Sequence, residues 1–258
     1  MNPFFFGPSE HQLYGVYHPA VAARPKKQGV LLCYPFGQEY MRAHRAFRQI
    51  AMLLAKKGFH VLRFDYRGTG DSSCDMEDVK ADDWLADIDI AIEELKDMAG
   101  VEEIALIGLR LGGLLAATVS TRRQDVSSLV VWDSINSGKE YENELRDEIS
   151  NRNEVVDLDQ DNFIDADGVI HFNGFPLTPY FLVGLGSLDL LKNMPAAEKI
   201  LQVVSNENNR FEQLKSAWSK LDAYEYDHAE SPGDWNYVDD YGGVLLPQPV
   251  IKSIVDWL

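Results

Sequence analysis

The sequence contains little cysteine and little positive charge. Its 258 residues include only two cysteines, Cys33 and Cys74, and its 24 lysines and arginines face 41 acidic residues, which gives a formal net charge of −17. Two cysteines cannot form a disulfide scaffold, and so few are typical of a protein from a reducing compartment. An acidic chain repels the phosphates of nucleic acids and anionic membranes, so we expect neither as a partner.

Long hydrophobic runs are also absent. No stretch approaches the roughly 18 apolar residues that a membrane span needs. The aromatic run from Phe4 to Phe6 is too short for the apolar core of a signal peptide, and no basic residues flank it. We therefore expect a cytoplasmic protein without a membrane span.

Signatures of metal and cofactor sites are missing as well. The histidines show neither i, i+4 spacing nor an H-E-x-x-H pattern, and neither cysteine has a C-x-x-C partner. No G-x-G-x-x-G sequence opens the first strand and helix, where a dinucleotide-binding loop belongs. We predict no metal and no cofactor.

Strand and helix patterns alternate along the chain. Its hydrophobic content of 45% is sufficient for one large core. Segments of helical spacing separate short apolar runs that predict buried strands at 29–34, 60–64, 104–107, 127–132, 200–204 and 223–226. A hairpin from Phe4 to Tyr17 is expected at a sheet edge, and a helix at 249–258 closes the chain. We predict an α/β fold with a mostly parallel sheet of about eight strands and helices on both faces.

This alternation stops near Gly138. Residues 139–168 contain three basic residues and many acidic ones, namely Glu140, Glu142, Glu144, Asp147, Glu148, Glu154, Asp157, Asp159, Asp161, Asp165 and Asp167. Such a composition is typical of a solvated segment. We interpret residues 138–193 as a small acidic cap inserted over the carboxyl edge of the sheet, within a single domain that spans residues 1–258.

The centre of the chain contains a glycine-flanked turn between a predicted strand and a predicted helix. Its sequence is Gly108-Leu109-Arg110-Leu111-Gly112. In a G-x-S-x-G elbow, the central serine is the nucleophile and sits on a strained turn, and the glycines allow strand and helix to approach closely. Arg110 stands in place of the serine, so the turn predicts the fold of a hydrolase without its usual nucleophile.

A second motif follows the predicted strand at 60–64. Residues 65–72 read Asp-Tyr-Arg-Gly-Thr-Gly-Asp-Ser. With this motif and the elbow in this order, the chain resembles an α/β-hydrolase over nearly its whole length, and more narrowly the serine-aminopeptidase-like branch. The elbow and the segments 132–138 and 173–177 are similar to hydrolase-like proteins associated with bacterial exosortase systems. This resemblance implies a link to exosortase-dependent export or exopolysaccharide synthesis.

The resemblance also assigns roles to individual positions. The backbone N–H groups of Phe36 and Leu111 would form the oxyanion hole. Arg110 occupies the nucleophile position, and a guanidinium cannot attack a carbonyl because it stays protonated. The acid position falls near Glu207. The loop after the last strand lacks the expected histidine, and His228 lies a few residues before that loop.

Two interpretations of Arg110 remain open from the sequence. It could bind a carboxylate or phosphate at the helix N-terminus, with Asp133 and Asp234 as further ligand-binding residues. It could instead form an ion pair inside the protein, with Asp133, Glu207, Asp234 or the acidic cap.

Two functions follow from these interpretations. The first is a hydrolase-fold protein with a degenerate triad that binds a small anionic or acyl ligand, or a partner protein. The second is an active hydrolase of an ester, thioester or amide, working through a rearranged site. That site would combine a nucleophile with His228 or His44, the candidate nucleophiles being Ser72, Ser73, Cys74 and Ser134.

Overall fold

The computed structural model describes residues 1–155, 161–236 and 245–258. The strands in this part of the chain are β1 (Asn2–Phe6), β2 (Leu13–His18), β3 (Gln28–Cys33), β4 (His60–Phe64), β5 (Glu103–Leu109), β6 (Val126–Trp132), β7 (Phe163–Ile164), β8 (Ile170–Phe172), β9 (Phe175–Leu177), β10 (Lys199–Val204) and β11 (Tyr224–His228). The helices are α1 (Gly37–Lys56), α2 (Ala81–Ala99), α3 (Leu111–Ser120), α4 (Gly138–Val155), α5 (Pro179–Leu185), α6 (Asn209–Trp218) and α7 (Gln248–Trp257). No helix in the described ranges combines the length and apolar character that a membrane crossing requires.

Eight strands form the main sheet. Their order is β1-β2-β4-β3-β5-β6-β10-β11. The β1–β2 and β2–β4 pairs are antiparallel, and the remaining pairs are parallel. The predicted mostly parallel sheet of about eight strands is therefore confirmed, with the N-terminal hairpin at one edge.

The central strands are buried because helices cover both faces of the sheet. Apart from the exposed Glu103, β5 and β6 consist of apolar and small residues, and these are buried. Helices α1 and α7 pack together, as do α2 and α3, which forms the two helical layers. In such a sheet the carboxyl ends of the parallel strands lie at one edge, where the elbow after β5 meets the loops after β3, β6 and β10.

A group of smaller elements separates β6 from β10. It comprises α4, a sheet of the short strands β7, β8 and β9, and α5. The prediction of a solvated segment is wrong for α4, because Tyr141, Leu145 and Ile149 recur four residues apart and are buried against the core. The acidic residues of α4 therefore divide between an exposed side and a side that faces the elbow.

Candidate active site

The elbow has the geometry that its glycines predicted. Arg110 lies between β5 and α3 with φ 52° and ψ −119°, in a region that few non-glycine residues occupy. Its backbone is held in place because its N–H donates to the Trp132 carbonyl at 3.0 Å and its carbonyl accepts from the Gly113 N–H at 3.0 Å. Strained backbone of this kind is often found at functional sites.

Two glycines allow the strand and the helix to approach at the elbow. A Cβ at Gly108 would lie 2.2 Å from the carbonyl oxygen of Gly112. A Cβ at Gly112 would lie 2.2 Å from the Cys33 oxygen and 2.4 Å from the Tyr34 oxygen. These neighbours are backbone atoms, so any larger residue at either glycine would force β5, α3 and the loop after β3 apart.

The Arg110 side chain is enclosed and paired with two carboxylates. The residue is 5% exposed. Its Nε donates to Glu39 Oε1 at 3.0 Å, and its Nη2 donates to Glu144 Oε1. Glu39 lies in the first turn of α1 and Glu144 in α4, so the pairing joins three separate segments around the elbow. Glu144 lies in the acidic segment that the sequence offered as an ion-pair partner of Arg110, whereas Glu39 was not among the proposed partners.

Glu39 is an unusual carboxylate because it is almost fully buried. It is 1% exposed, and its Oε2 atom has no hydrogen-bond partner in the described part of the chain. Burial raises the pKa of Glu39 to about 7, although Arg110 opposes this shift. Glu39 therefore titrates near neutral pH beside the elbow.

Glu144 is stabilised in its ionised form by a second arginine. Burial alone would raise the pKa of Glu144, but the positive charges of Arg110 and Arg210 outweigh it and hold that pKa below its ordinary value. Arg210 Nη2 donates to Glu144 Oε2, and Arg210 Nε donates to Glu140 Oε1 at 2.7 Å. The chain of charges thus links the elbow to α6.

Asp133 lies at the carboxyl end of β6, the strand beside the elbow strand. It is 3% exposed and, like Arg110, it has a positive φ, of 43°. Its carboxylate accepts hydrogen bonds from the Ser205 N–H and hydroxyl, both at 2.7 Å, and from Trp235 Nε1 at 2.9 Å. Burial raises the pKa of Asp133, and these three hydrogen bonds oppose the shift.

Trp235 comes from the loop after β11, where an α/β-hydrolase would have its histidine and this sequence has none. Its indole N–H donates to the Asp133 carboxylate, as the N–H of a catalytic imidazole does to its aspartate. The indole has no acceptor nitrogen, so it cannot take a proton from a nucleophile. Trp235 therefore retains the orienting hydrogen bond of a triad without the base.

A cavity of about 360 Å³ opens beside the elbow. Its lining comprises Arg110, Glu144, Glu148, Gly233, Asp234, Trp235 and Asn236. Among the candidate ligand-binding residues, Arg110 and Asp234 line this space. Asp133 lies beneath Trp235 with its carboxylate already hydrogen-bonded. The lining carries one positive charge and three carboxylates.

The loop between β3 and α1 holds Phe36 directly before the first residue of α1. Leu111 is the first residue of α3, so the N–H groups of both residues lie at helix starts and have no partner inside their own helices. A second, mostly apolar cavity of about 230 Å³ adjoins this loop, and its walls include Phe36, Met41, Tyr66, Met76 and Phe175.

The two weaker triad candidates lie near each other. Glu207 follows β10 and His228 ends β11, and the His228 Nδ1 atom is 3.6 Å from Glu207 Oε1. Their side chains are 62% and 33% exposed, and neither lines the elbow cavity.

The candidate replacement nucleophiles have structural contacts. The Ser72 hydroxyl donates to the Asp65 carbonyl at 2.6 Å, and the Ser134 hydroxyl donates to the Ile135 carbonyl at 3.0 Å. Cys74 Sγ lies 3.8 Å from the hydroxyl of its neighbour Ser73 and 3.3 Å from Nδ1 of His11. His44 lines a different cavity, on the other side of Tyr34 and Tyr40.

Sequence reasoning missed Glu39 and Trp235. Glu39 had one detectable signal, because an acidic residue in the first turn after the oxyanion-like loop lies on a segment that must pack against the elbow. Trp235 had none, since an aromatic residue in a loop is ordinary until its indole N–H is placed against a buried carboxylate.

Comparison with known proteins identifies the fold. Residues 28–141 match the family model described as serine aminopeptidase, S33. Est1E from Butyrivibrio proteoclasticus, solved with ferulic acid, superposes with a TM-score of 0.71 at 17% identity, covering 98% of this chain and 97% of that one. Proline iminopeptidase from Mycobacterium smegmatis superposes with a TM-score of 0.63 at 16% identity, covering 99% and 97%. This chain has the α/β-hydrolase fold. No curated protein matches it in sequence.

The elbow is a functional position in the α/β-hydrolase fold. In this fold, the residue between the strand and the helix is the nucleophile, and a backbone N–H just after it helps to bind the oxyanion. The chain has the strained turn. It places Arg110 at the nucleophile position and Trp235 against the buried Asp133.

Proposed function

We propose that this α/β-hydrolase-fold chain binds a small acyl ligand at the elbow and does not use a serine nucleophile. The observation that carries the proposal is Arg110, which stands at the nucleophile position and is paired with Glu39 and Glu144. A paired guanidinium has no lone pair with which to attack a carbonyl. Nucleophile and base act as a unit in a serine hydrolase, so losing both removes the Ser-His-Asp route.

The charges of the elbow cavity favour a neutral acyl ligand over an anion. Arg110 is already matched by two carboxylates, and Glu148 and Asp234 add negative charge to the wall. An anion entering this space would have to displace Glu144 or Glu39 from Arg110. A carbonyl oxygen needs no such exchange, because the backbone N–H groups of Phe36 and Leu111 can donate to it.

The apolar part of the ligand would bind in a cavity beside the loop that holds Phe36. The cavity beside Phe36 is mostly apolar, with Met41 and Phe175 on its wall. Burying a short acyl chain there would supply binding free energy of about 0.8 kcal/mol for each methylene removed from water. We therefore assign the acyl chain to this cavity.

A rearranged hydrolase is the second candidate function. The retained elbow strain and the two oxyanion-like N–H groups favour it, because these groups stabilise a tetrahedral intermediate whatever the nucleophile. An ester, thioester or amide would be the substrate. We also extend the proposal to membership of the serine-aminopeptidase-like branch and of its exosortase-associated subgroup, with a cytoplasmic location.

Turnover separates the two functions. We expect no hydrolysis of short acyl esters or thioesters by the purified wild-type protein or by Arg110→Ala, and no labelling by a fluorophosphonate probe. Hydrolysis by the wild type that disappears in Arg110→Ala would refute the binding proposal and make Arg110 part of a catalytic site.

Binding is tested with hexanamide as the probe, in a ligand-observed NMR titration. Met41→Trp should fill the apolar cavity and weaken binding about tenfold or more, because a well-packed pocket cannot accommodate both groups. Met52→Trp is the matched control, since Met52 is also an exposed methionine of α1 but lies outside the cavity wall. Equal binding by both variants, or tighter binding of hexanoate than of hexanamide, would count against the proposed ligand.

A further inference from the structure

A third cavity, of about 350 Å³, lies between α1 and the hairpin edge of the main sheet. It shares no lining residue with the elbow cavity. One side is formed by Tyr40, His44 and Arg48, which recur four residues apart along α1. Arg63 of β4 forms part of the opposite side.

Arg63 is a buried cation that has no carboxylate partner among the described residues. It is 5% exposed, yet its Nε donates to His18 Nε2 at 3.1 Å and its Nη1 donates to the Tyr34 hydroxyl at 2.8 Å. Its Nη2 contacts the Met1 sulfur at 3.9 Å. In the residues that the structure describes, no carboxylate oxygen lies within the 4.0 Å of an ion pair. Buried charges are usually paired, so Arg63 has unused capacity to bind an anion.

Both partners of Arg63 are neutral at physiological pH. Burial lowers the pKa of His18 to about 4, and the positive charges of Arg63, the chain's amino terminus and Arg48 add to this shift. Burial raises the pKa of the Tyr34 hydroxyl to about 12. Neither group therefore neutralises the guanidinium.

The cavity lining carries charges of both signs. Arg48 is exposed on the wall, and the pKa of His44 is lowered by burial and by the nearby Arg63, Arg48 and Arg45. Two carboxylates also line the cavity, those of Asp65 and Asp71. Asp65 is already occupied, because it accepts hydrogen bonds from the Tyr40 hydroxyl at 3.1 Å and the Asp71 N–H at 3.2 Å. The lining therefore combines two guanidiniums, those of Arg63 and Arg48, with two carboxylates.

We propose that this cavity is an anion-binding site, in which Arg63 and Arg48 hold a carboxylate or phosphate group. Arg63 supplies a fixed guanidinium, held by His18 and Tyr34, whose remaining N–H groups can form charge-assisted hydrogen bonds. Arg48 supplies a second, solvent-exposed guanidinium. The site shares no lining residue with the elbow cavity, although Tyr34, Tyr40 and Asp65 also line the apolar cavity assigned to the acyl chain. Its ligand is an anion, whereas the ligand proposed for the elbow is a neutral acyl group.

Isothermal titration with inorganic phosphate and, separately, with acetate tests this site in the intact protein. We expect saturable binding of at least one of them with a Kd of about 1 mM or tighter. Arg48→Gln should weaken that binding about fivefold or more, and Arg63→Met about tenfold or more. Arg45→Gln is the matched control, because Arg45 is an exposed arginine of the same helix that does not line the cavity.

The exposed position of Arg48 keeps the test decisive even where Arg63→Met fails to fold. Binding that survives in Arg45→Gln and weakens in Arg48→Gln supports the site, and the stronger of the two probes identifies the anion class. Equal loss in Arg45→Gln and Arg48→Gln would show only a general charge effect and overturn the proposal. Absence of saturable binding of either anion, or preferential binding of ethylammonium at the two aspartates, would overturn it as well.

Discussion

At the scale of single residues, the candidate active site depends on how two carboxylates share one guanidinium. Glu144 is held ionised by Arg110 and Arg210. Among the described residues, Glu39 forms an ion pair with Arg110 alone and has a buried oxygen without a hydrogen-bond partner. The same arginine thus faces one carboxylate whose pKa is lowered and one whose pKa is raised. Desolvation decides the difference, because Glu39 is buried more completely than Glu144 and has one fewer positive neighbour.

This asymmetry predicts a pH dependence that Glu39 controls. The pKa of Glu39 is raised from 4.5 to about 7 in the folded state, so folding favours its protonated form. The resulting stability is fully present below pH 4.5 and is lost as the pH rises through 7. From about pH 5 to pH 8, we expect the wild-type free energy of unfolding to fall relative to that of Glu39→Gln, by on the order of 3 kcal/mol.

Urea unfolding at several pH values measures this difference. The exposed Glu103, changed to glutamine, is the control and should follow the wild-type curve. Parallel curves for the wild type and Glu39→Gln would show that Glu39 does not titrate in this range.

At the scale of elements, the elbow works because three segments meet there without side chains between them. The end of β5, the start of α3 and the loop after β3 all approach Gly112 through backbone atoms. The same contact brings the loop that holds Phe36 against the start of α3 at Leu111, and these are the two residues whose N–H groups the proposed function assigns to one ligand atom. Any residue that separates these segments therefore acts on both stability and binding.

Gly112→Ala tests this packing. Its Cβ would lie 2.2 Å from the Cys33 carbonyl oxygen, and we expect a loss of about 3 kcal/mol or more in the free energy of unfolding, up to failure to fold. Gly100→Ala is the matched control, because its Cβ would meet nothing within 4 Å and only its positive φ of 63° is unfavourable. That variant should lose about 1 to 2 kcal/mol. Equal losses in chemical denaturation would contradict the steric explanation.

At the scale of the whole molecule, the excess of negative charge destabilises the compact folded state. The 41 acidic residues exceed the 24 basic ones, and several of the arginines are already committed to ion pairs inside the structure. The remaining acidic groups repel one another over distances that depend on ionic strength. The net charge thus affects the stability of the fold as well as the choice of partners.

Salt should therefore stabilise the protein. Raising sodium chloride from about 0.01 M to 0.15 M shortens the Debye length from about 30 Å to 8 Å, which weakens the repulsion between surface carboxylates. We expect Tm to rise in thermal unfolding monitored by circular dichroism, and potassium chloride should have the same effect because the mechanism is not ion-specific. A Tm that falls with either salt would mean that ion pairs such as Arg123 with Asp125 outweigh the general repulsion.

The sequence by itself determined the main sheet and the elbow. Apolar runs such as 104–107 and the glycines at 108 and 112 are local signals. Burial and close backbone approach each restrict the residue type at the position concerned. The presence of Arg110 in place of a serine was likewise visible from one residue of the sequence. The solvated interpretation of 139–168 was wrong for α4, since an excess of charge concealed the apolar residues four apart.

Only the tertiary structure decided what surrounds Arg110 and Arg63. Glu39 and Glu144 lie far from Arg110 in sequence, and the hydrogen bond from Trp235 to Asp133 joins residues about a hundred positions apart. Such contacts depend on how strands and helices are arranged in space, and no local pattern encodes them. For the same reason, the sequence could show that Arg63 is charged, but only the fold could show that it is buried beside neutral partners.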